Sequence, residues 1–214
     1  MATNRYNGRA AELEPIPAGT GFYRILPADA TYDSNSYNMK PRRLDDRKQG
    51  RFEPVEPSLG GYTYVSSTLG GAVAEGILRN QRIPASGLVR RIWLVNKKLV
   101  KLRLLDDIQV AAVYGPHTAV LNLDGALLCC NRRGYSRCRK IASEILLNTP
   151  NARGLHYDCR NDLALTSLML ITRSAEPKLE LVEEREILRD DETRSEVLKT
   201  LNDVFHLQYT GKLS

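Results

Sequence analysis

The chain lacks the two sequence features that direct a protein to or across a membrane. No stretch of the 214 residues approaches the roughly 18 consecutive apolar residues that a membrane span requires. The first residues, Met1 to Arg5, do not contain the apolar run of a secretory signal peptide. These two absences predict a cytoplasmic protein without membrane contact.

Cysteine and histidine are scarce. The four cysteines form no C-x-x-C pair, and only three histidines are present. Structural zinc sites usually need four closely spaced ligands of these types, so the sequence predicts no metal site. The thiols of a cytoplasmic protein are expected to be reduced. The residues concerned are Cys129, Cys130, Cys138 and Cys159, together with His117, His156 and His206, which we expect to be structural or exposed.

Acidic residues are outnumbered by basic ones, 25 to 31, which gives a formal charge of +6. A basic protein can bind nucleic acid, a phosphorylated ligand or an acidic protein. The chain is long enough to bury one sizeable core. We therefore predict an extended lead-in over residues 1–20, which contains Pro15, Pro17 and Gly19, and one domain over residues 21–214.

Hydrophobic and turn patterns predict more strands than helices, and the fold class is α+β with a mixed or split sheet and flanking helices. A hairpin is predicted from strands 88–95 and 99–105 joined at Asn96-Lys97-Lys98. Thr193-x-x-Glu196 is typical of a capping box at the start of the last helix. The other predicted elements are strands 21–26, 62–66, 154–157, 163–171 and an edge strand 179–187, and helices 69–80, capped by Ser67 or Thr68, and 136–147.

Three polar side chains stand out by their positions. Arg51 directly follows a long polar loop over residues 28–50, Tyr64 lies in a β-prone run, and Glu75 lies in the helix that follows. A carboxylate on a helix directly after a strand can be aimed into a cleft while its apolar neighbours pack. Each residue taken singly has an ordinary structural explanation, a surface charge or a core tyrosine. Spacing alone therefore does not assign them a function.

The order of short motifs around these residues resembles the RES domain family, which is named for its Arg, Glu and Ser. Each motif is short, and their order and spacing together carry the resemblance over roughly residues 20 to 175. The motifs are Phe22-Tyr23-Arg24-Ile25, Gly50-Arg51-Phe52, Tyr64-Val65-Ser66-Ser67 with Ala72-x-Ala74-Glu75, Leu102-x-Leu104-Leu105, Tyr135-x-Arg137 with Ile141-Ala142 and Ile145, and Gly154-Leu155-His156-Tyr157-Asp158-Cys159-Arg160.

This resemblance implies a fold similar to that of ADP-ribosyltransferases and a toxin that depletes NAD. NAD would be a substrate, its nicotinamide–ribose bond cleaved with phosphate or water as acceptor, and an Xre-type antitoxin would be the protein partner. By the same resemblance, Glu75 would be the catalytic carboxylate. Arg51 and Arg24 would bind the pyrophosphate, and Tyr64 would stack on a ring of the dinucleotide.

The chain departs from the family pattern at one position. The family serine falls on Cys159, and a thiol is larger than a hydroxyl and a poorer hydrogen-bond donor. Ser167 is the other serine nearby, but it follows eight residues later in a predicted strand. We take Cys159 as the positional match and expect it near the NAD site.

Three other functions stay open from the sequence. The same site could transfer ADP-ribose to a macromolecule. The cysteine at the serine position could mark a RES protein without activity. A nucleic-acid-binding module is less favoured because no recognition motif accompanies the basic cluster, which consists of Arg132, Arg133, Arg137, Arg139 and Lys140 near Tyr135.

Overall fold

Two packed β-sheets form the frame of the protein. The computed structural model describes residues 6–40, 43–44, 50–79, 81–123, 130, 132–160, 164–209 and 211, with residue 132 described by its backbone. Within them, the larger sheet has five strands in the order β1 (Leu13–Ile16), β6 (Ile108–Val113), β7 (Gly154–Asp158), β8 (Thr166–Ile171) and β3 (Tyr62–Val65). Only β6 and β7 run parallel among its neighbouring pairs, so this sheet is mixed.

The smaller sheet has three antiparallel strands in the order β2 (Gly21–Pro27), β5 (Lys97–Leu104) and β9 (Leu179–Glu186). An isolated bridge between Tyr23 and Ser66 links it to the larger sheet beside β3. A short third ladder pairs β4 (Leu88–Val89) with β10 (Gln208–Tyr209) in parallel. The arrangement is α+β with a mixed sheet, which confirms the predicted class.

Helices between and after the strands pack against these sheets. α1 (Leu69–Val73) continues directly into a π turn, Ala74–Leu78. α2 (His117–Val120) is a single turn, while α3 (Tyr135–Asn148) and α4 (Asp191–Phe205) are the two long helices among the described residues. In that part of the chain, no helix has the length and apolar character needed to cross a membrane.

Three apolar clusters make up the core. The first lies between α3 and the five-stranded sheet and includes Ile145 and Tyr157. The second joins the two sheets through residues such as Val100 and Leu168. The third packs α1, its π turn and α4 around Leu78. The third cluster fixes the segment that contains Glu75, and the first supports the strand that precedes Cys159.

Two sequence predictions are wrong in detail. Residues 88–95 and 99–105 do not form a hairpin, because β5 begins at Lys97 and pairs with β2 and β9, while β4 pairs with β10. The last helix begins at Asp191, two residues before the predicted cap Thr193, because the Asp190 carboxylate accepts a hydrogen bond from the Thr193 amide at 2.8 Å.

The predicted N-terminal lead-in, residues 1–20, contains a strand. Leu13–Ile16 lies in that segment, yet it adds an antiparallel edge strand to the five-stranded sheet beside β6. Backbone pairing therefore ties part of residues 1–20 to the domain. Among the other predictions, Leu163, Asn80 and Cys129 lie outside the described residues. The remaining strands and helices form where the sequence predicts them, within a few residues at their ends.

Candidate active site

Glu75 lies in the π turn that continues α1. The helix starts at Thr68, whose hydroxyl accepts a hydrogen bond from the Gly71 amide at 3.1 Å. A side chain at Gly71 would collide with the Ser66 hydroxyl and the Thr166 carbonyl. A Cβ at Gly76 would lie 2.6 Å from the Ile25 Cβ. These two glycines therefore allow the helix and turn to lie directly on β2 and β3, which brings the Glu75 carboxylate to the sheets.

Two arginines hold the Glu75 carboxylate. Arg51 Nη2 lies 3.3 Å from Oε1, and Arg79 Nη1 lies 3.8 Å from Oε2. The Arg51 side chain is 2% exposed and that of Glu75 is 11% exposed, so this first pair is largely removed from water. The carboxylate is therefore fixed from two sides.

Arg51 reaches Glu75 from the protein interior. Its Nη2 also donates a hydrogen bond to the Asp158 carbonyl at 3.0 Å. Its guanidinium lies over the rings of Phe52 and Tyr157, 4.5 and 5.2 Å from their centroids. Burial lowers the pKa of Arg51, but the Glu75 carboxylate and its neighbours outweigh that effect and raise the pKa above its ordinary value.

Arg51 lies outside the space in front of Glu75. The side chain is buried and does not line either of the cavities described below, so it faces Glu75 rather than the space a dinucleotide would enter. Its geometry suits a residue that positions the carboxylate. The contact between Arg51 and a pyrophosphate stays a prediction.

A cleft of about 250 Å³ opens in front of Glu75. A second cavity of about 690 Å³ adjoins it, and Arg24, Tyr64 and Arg79 line both. Lys97 lines the first cleft only, and its ammonium donates to the Gly76 carbonyl at 3.3 Å. Burial, and then the Arg79 charge, lower the pKa of Lys97. The two cavities thus form a bipartite groove with two arginines where its halves meet.

Arg24 is held in this groove by backbone oxygens. Its Nη1 donates to the Ser34 carbonyl at 2.9 Å and to the Ser36 carbonyl at 3.3 Å. Burial lowers the pKa of Arg24 from its ordinary value. The prediction that Arg24 lies at the site is consistent with this geometry.

Tyr64 forms the wall between the two cavities. Its hydroxyl accepts a hydrogen bond from the Phe52 amide at 3.2 Å. Its ring meets that of Tyr157 edge-on at 6.3 Å, and the Arg79 guanidinium lies 6.0 Å from the ring centroid. Burial raises the pKa of Tyr64 well above its ordinary value, so the phenol is neutral over the physiological range.

Cys159 is fully buried and does not line the cleft. Its sulfur lies 3.2 Å from the hydroxyl oxygen of Ser167, which does line the cleft. Burial raises the pKa of Cys159 to about 12, so the thiol is protonated at neutral pH. Ser167, eight residues later in the chain, faces the same place because β7 and β8 are antiparallel neighbours. The thiol therefore supports the hydroxyl that reaches the cleft.

Sequence reasoning missed Arg79 and Lys97. Arg79 is four residues after Glu75, and this spacing on a helix is a signal for a charge pair that could have been used. No local sequence pattern marks Lys97 as a site residue. The sequence predicts it in a turn, and the pairing of β5 with β2 brings it to the cleft.

The basic cluster of α3 does not form one exposed surface. Arg139 is 1% exposed, and its guanidinium donates to the Gly50 carbonyl at 3.1 Å and to the Leu44 carbonyl at 2.5 Å. Tyr135 is also buried, whereas Arg133 and Arg137 are exposed. One arginine of the predicted basic cluster, Arg139, therefore holds the chain before Arg51 instead of facing solvent.

Clusters of metal-ligating residues were sought among the same described residues. No group of three or more His, Cys, Asp or Glu side chains there is placed to hold a metal ion. The groups that face the cleft are instead one carboxylate, three cations, three phenols and two hydroxyls, contributed by Glu75, Arg24, Arg79, Lys97, Tyr23, Tyr64, Tyr157, Ser66 and Ser167.

Comparison with known proteins gives a fold relationship and no family assignment. No protein-family model matches the sequence, and no curated protein does. Among solved structures, the chain is similar to a chain in the crystal structure of the M. tuberculosis MbcT–MbcA toxin–antitoxin complex. The two share 16% identity at a TM-score of 0.56, over 80% of this chain and 86% of that one. This level of likeness shows a common fold.

Proposed function

We propose that this chain cleaves the nicotinamide–ribose bond of NAD and passes ADP-ribose to inorganic phosphate or water. The observation that carries the proposal is the fixed carboxylate of Glu75 on the wall of a cleft. The other charged residues that line this cleft, among those described, are Arg24, Arg79 and Lys97. A site of this kind suits a ligand with both anionic groups and a centre that becomes positive during reaction.

Bond cleavage at the ribose carbon builds positive charge on the sugar in an oxocarbenium-like transition state. A carboxylate that is already oriented stabilises this charge without reorganising during the reaction. The bonding electrons leave with the nicotinamide nitrogen, which becomes neutral, so no proton donor is needed. The side chains that face the cleft, which include a neutral tyrosine and no histidine among the described residues, are compatible with that requirement.

The groove also has room for the two halves of a dinucleotide. We place the pyrophosphate where the cavities meet, at Arg24 and Arg79, because guanidinium groups match phosphate oxygens in a bidentate way. The reacting ribose then lies beside Glu75, with Ser167 nearby. The Tyr64 ring, at the same junction, is placed to contact a planar ring of the ligand.

The protein partner we propose is an Xre-type antitoxin, for which the chain would be the toxin. Support comes from the resemblance of its motifs to RES domains and from the fold shared with a chain of a toxin–antitoxin complex. Induction of the chain alone is expected to deplete cellular NAD and stop growth. Co-expression of an Xre-type protein encoded beside it should restore both, whereas unchanged NAD in induced cells would contradict the toxin assignment.

The direct test is nicotinamide release by the purified full chain. The protein is incubated with NAD, with and without inorganic phosphate, and the products are separated by chromatography. Glu75→Gln is expected to lower the rate by about 10²–10³. Glu144→Gln, at an exposed position on α3, is the matched control and should leave the rate unchanged. Equally low release by wild type and Glu75→Gln would refute the proposal.

The products identify the acceptor. Free ADP-ribose indicates water, and a phosphorylated ADP-ribose that forms only with added phosphate indicates phosphorolysis. Label transferred from NAD to proteins or nucleic acid of a lysate would instead indicate an ADP-ribosyltransferase of macromolecules. Each result assigns a different acceptor to the same Glu75-dependent cleavage.

A further inference from the structure

Two cysteines meet behind the candidate active site. The Cys130 and Cys138 sulfur atoms lie 2.6 Å apart. Ordinary contact between thiols is longer, and a disulfide bond is only slightly shorter, at about 2.05 Å. Cys138 is fully buried in the first turn of α3, whereas Cys130 is partly exposed. The pair therefore has one sulfur that a small oxidant can reach and one directly behind it.

The electrostatic surroundings divide the roles of the two sulfurs. The hydrogen bond from Cys138 lowers the pKa of Cys130, and the charges of Arg51 and Arg160 lower it further against the effect of burial. The hydrogen bond to Cys130 and burial raise the pKa of Cys138. Thiolates, not thiols, attack peroxides. Cys130 is thus the nucleophile that reacts with peroxide, and Cys138 is the thiol that reacts in the second step.

We propose that Cys130 and Cys138 form a peroxide-reactive pair that closes into an intramolecular disulfide. The Cys130 thiolate attacks one oxygen of hydrogen peroxide, and hydroxide leaves and takes a proton to become water. The resulting sulfenic acid is attacked by the Cys138 sulfur, which loses its proton as a second water departs. Overall, two thiols and one peroxide give one disulfide and two waters, and a dithiol reductant restores the two thiols while it is itself oxidised to a disulfide.

The location connects this pair with Arg51. The Arg51 charge acts on both sulfurs. Arg139, the residue after Cys138, holds the Gly50 carbonyl beside Arg51. The disulfide would remove the Cys130 thiolate from the surroundings of Arg51 and fix residue 130 against α3. Formation of this bond does not depend on the reaction proposed for the cleft, so either proposal can fail alone.

The test is to map the bond in the full-length protein. The reduced protein is exposed to a small excess of hydrogen peroxide, blocked with N-ethylmaleimide and digested with trypsin. The sequence predicts that the bond joins the peptides Leu104–Arg132 and Cys138–Arg139. Because Cys129 shares the first peptide, the same digest is repeated on Cys129→Ser, where the linked pair should persist. Dithiothreitol should release it.

Cys159 is the internal control, since it is fully buried and its pKa is raised to about 12. Cys130 should react with the blocking reagent at least about tenfold faster than Cys159, as expected for an accessible thiolate. In Cys138→Ala, Cys130 should remain a sulfenic acid that dimedone traps. A link between Cys129 and Cys130, a disulfide between two chains, or equal reactivity of Cys130 and Cys159 would overturn the proposal. Fragmentation of the linked peptide from the wild-type digest, which distinguishes Cys129 from Cys130, decides this even if a variant does not fold.

Discussion

Arg51 and Glu75 form a buried ion pair in which the arginine lies on the interior side of the carboxylate. The same Arg51 nitrogen contacts Glu75 Oε1 at 3.3 Å and donates to the Asp158 carbonyl at 3.0 Å. The pair therefore ties the π turn after α1 to the end of β7. Under the proposed function, Arg51 would act on a ligand in the cleft through the position of the Glu75 carboxylate.

Arg51→Met is expected to lower both stability and nicotinamide release. Removal of one partner leaves a carboxylate with little access to water, which costs about 3–5 kcal/mol in the free energy of unfolding. Urea denaturation followed by circular dichroism measures this loss. The double variant Arg51→Met/Glu75→Gln should regain part of the stability and none of the activity. Equal stability of Arg51→Met and wild type would contradict a buried pair.

Arg79→Ala should act mainly on substrate binding. Arg79 lines both halves of the groove, so it would contact the pyrophosphate in the ground state as well as in the transition state. Hydrogen bonds to charged groups contribute about 1.5–3 kcal/mol, which corresponds to a rise in KM for NAD of roughly ten- to a hundredfold. Steady-state kinetics measure it. Arg82→Ala, at an exposed position, is the matched control, and an equal rise there would show a general charge effect.

The neighbouring pair Cys159 and Ser167 gives a third prediction. Ser167→Ala removes the hydroxyl that lines the cleft and should lower nicotinamide release about tenfold, the effect of one lost hydrogen bond. Cys159→Ser restores the residue of the family pattern and should preserve or raise the rate. Thermal unfolding of both variants separates a loss of activity from a loss of structure. Abolished activity in Cys159→Ser would mean that the thiol has its own role in the reaction.

Local pattern predicts much of the fold, because most strands and both long helices carry their own signals. The run around Leu168 and the apolar face of α3 are examples. The predicted hairpin over residues 88–105 is wrong. Both segments are β-prone and are separated by turn residues, but each pairs with a strand that is distant in the sequence. Turn residues such as Asn96, at φ +57°, mark where a strand segment ends, but they do not determine which strand that segment pairs with.

In the candidate site, too, the sequence predicts which residues are involved better than it predicts their contacts. The motif order selects Glu75, Tyr64 and Arg24, and these do line one cleft. It cannot tell that Arg51 is buried behind the carboxylate, because burial depends on the packing of Phe52 and Tyr157 around it. The motif order also does not predict that Ser167 lies beside Cys159, because the antiparallel pairing of β7 and β8 makes that contact.

A second set of contacts supports the groove from the other side. Ser34, whose carbonyl accepts from Arg24, donates its hydroxyl to Glu184 Oε2 at 2.5 Å. Lys98 Nζ contacts the same carboxylate oxygen at 3.0 Å. The hydrogen bonds from Ser34 and Lys98 lower the pKa of Glu184. Glu184 on β9 therefore helps to place Arg24 without touching the cleft.

Glu184→Gln is expected to reduce stability at neutral pH and to remove part of its acid dependence. A carboxyl whose folded-state pKa is lowered stabilises the fold above its unfolded pKa of about 4.3, and this contribution is lost as the pH falls through the folded value. Because Glu184 is partly exposed, the difference at pH 7 should stay below about 1 kcal/mol and vanish in stronger acid. Urea unfolding of both proteins from pH 7 down to the acid range measures this difference in stability.

Glu180→Gln, whose Arg103 pair is exposed and does not contact Ser34, is the control. If only Glu184→Gln raises KM for NAD, the link to Arg24 is supported, and equal KM values in both variants would contradict it.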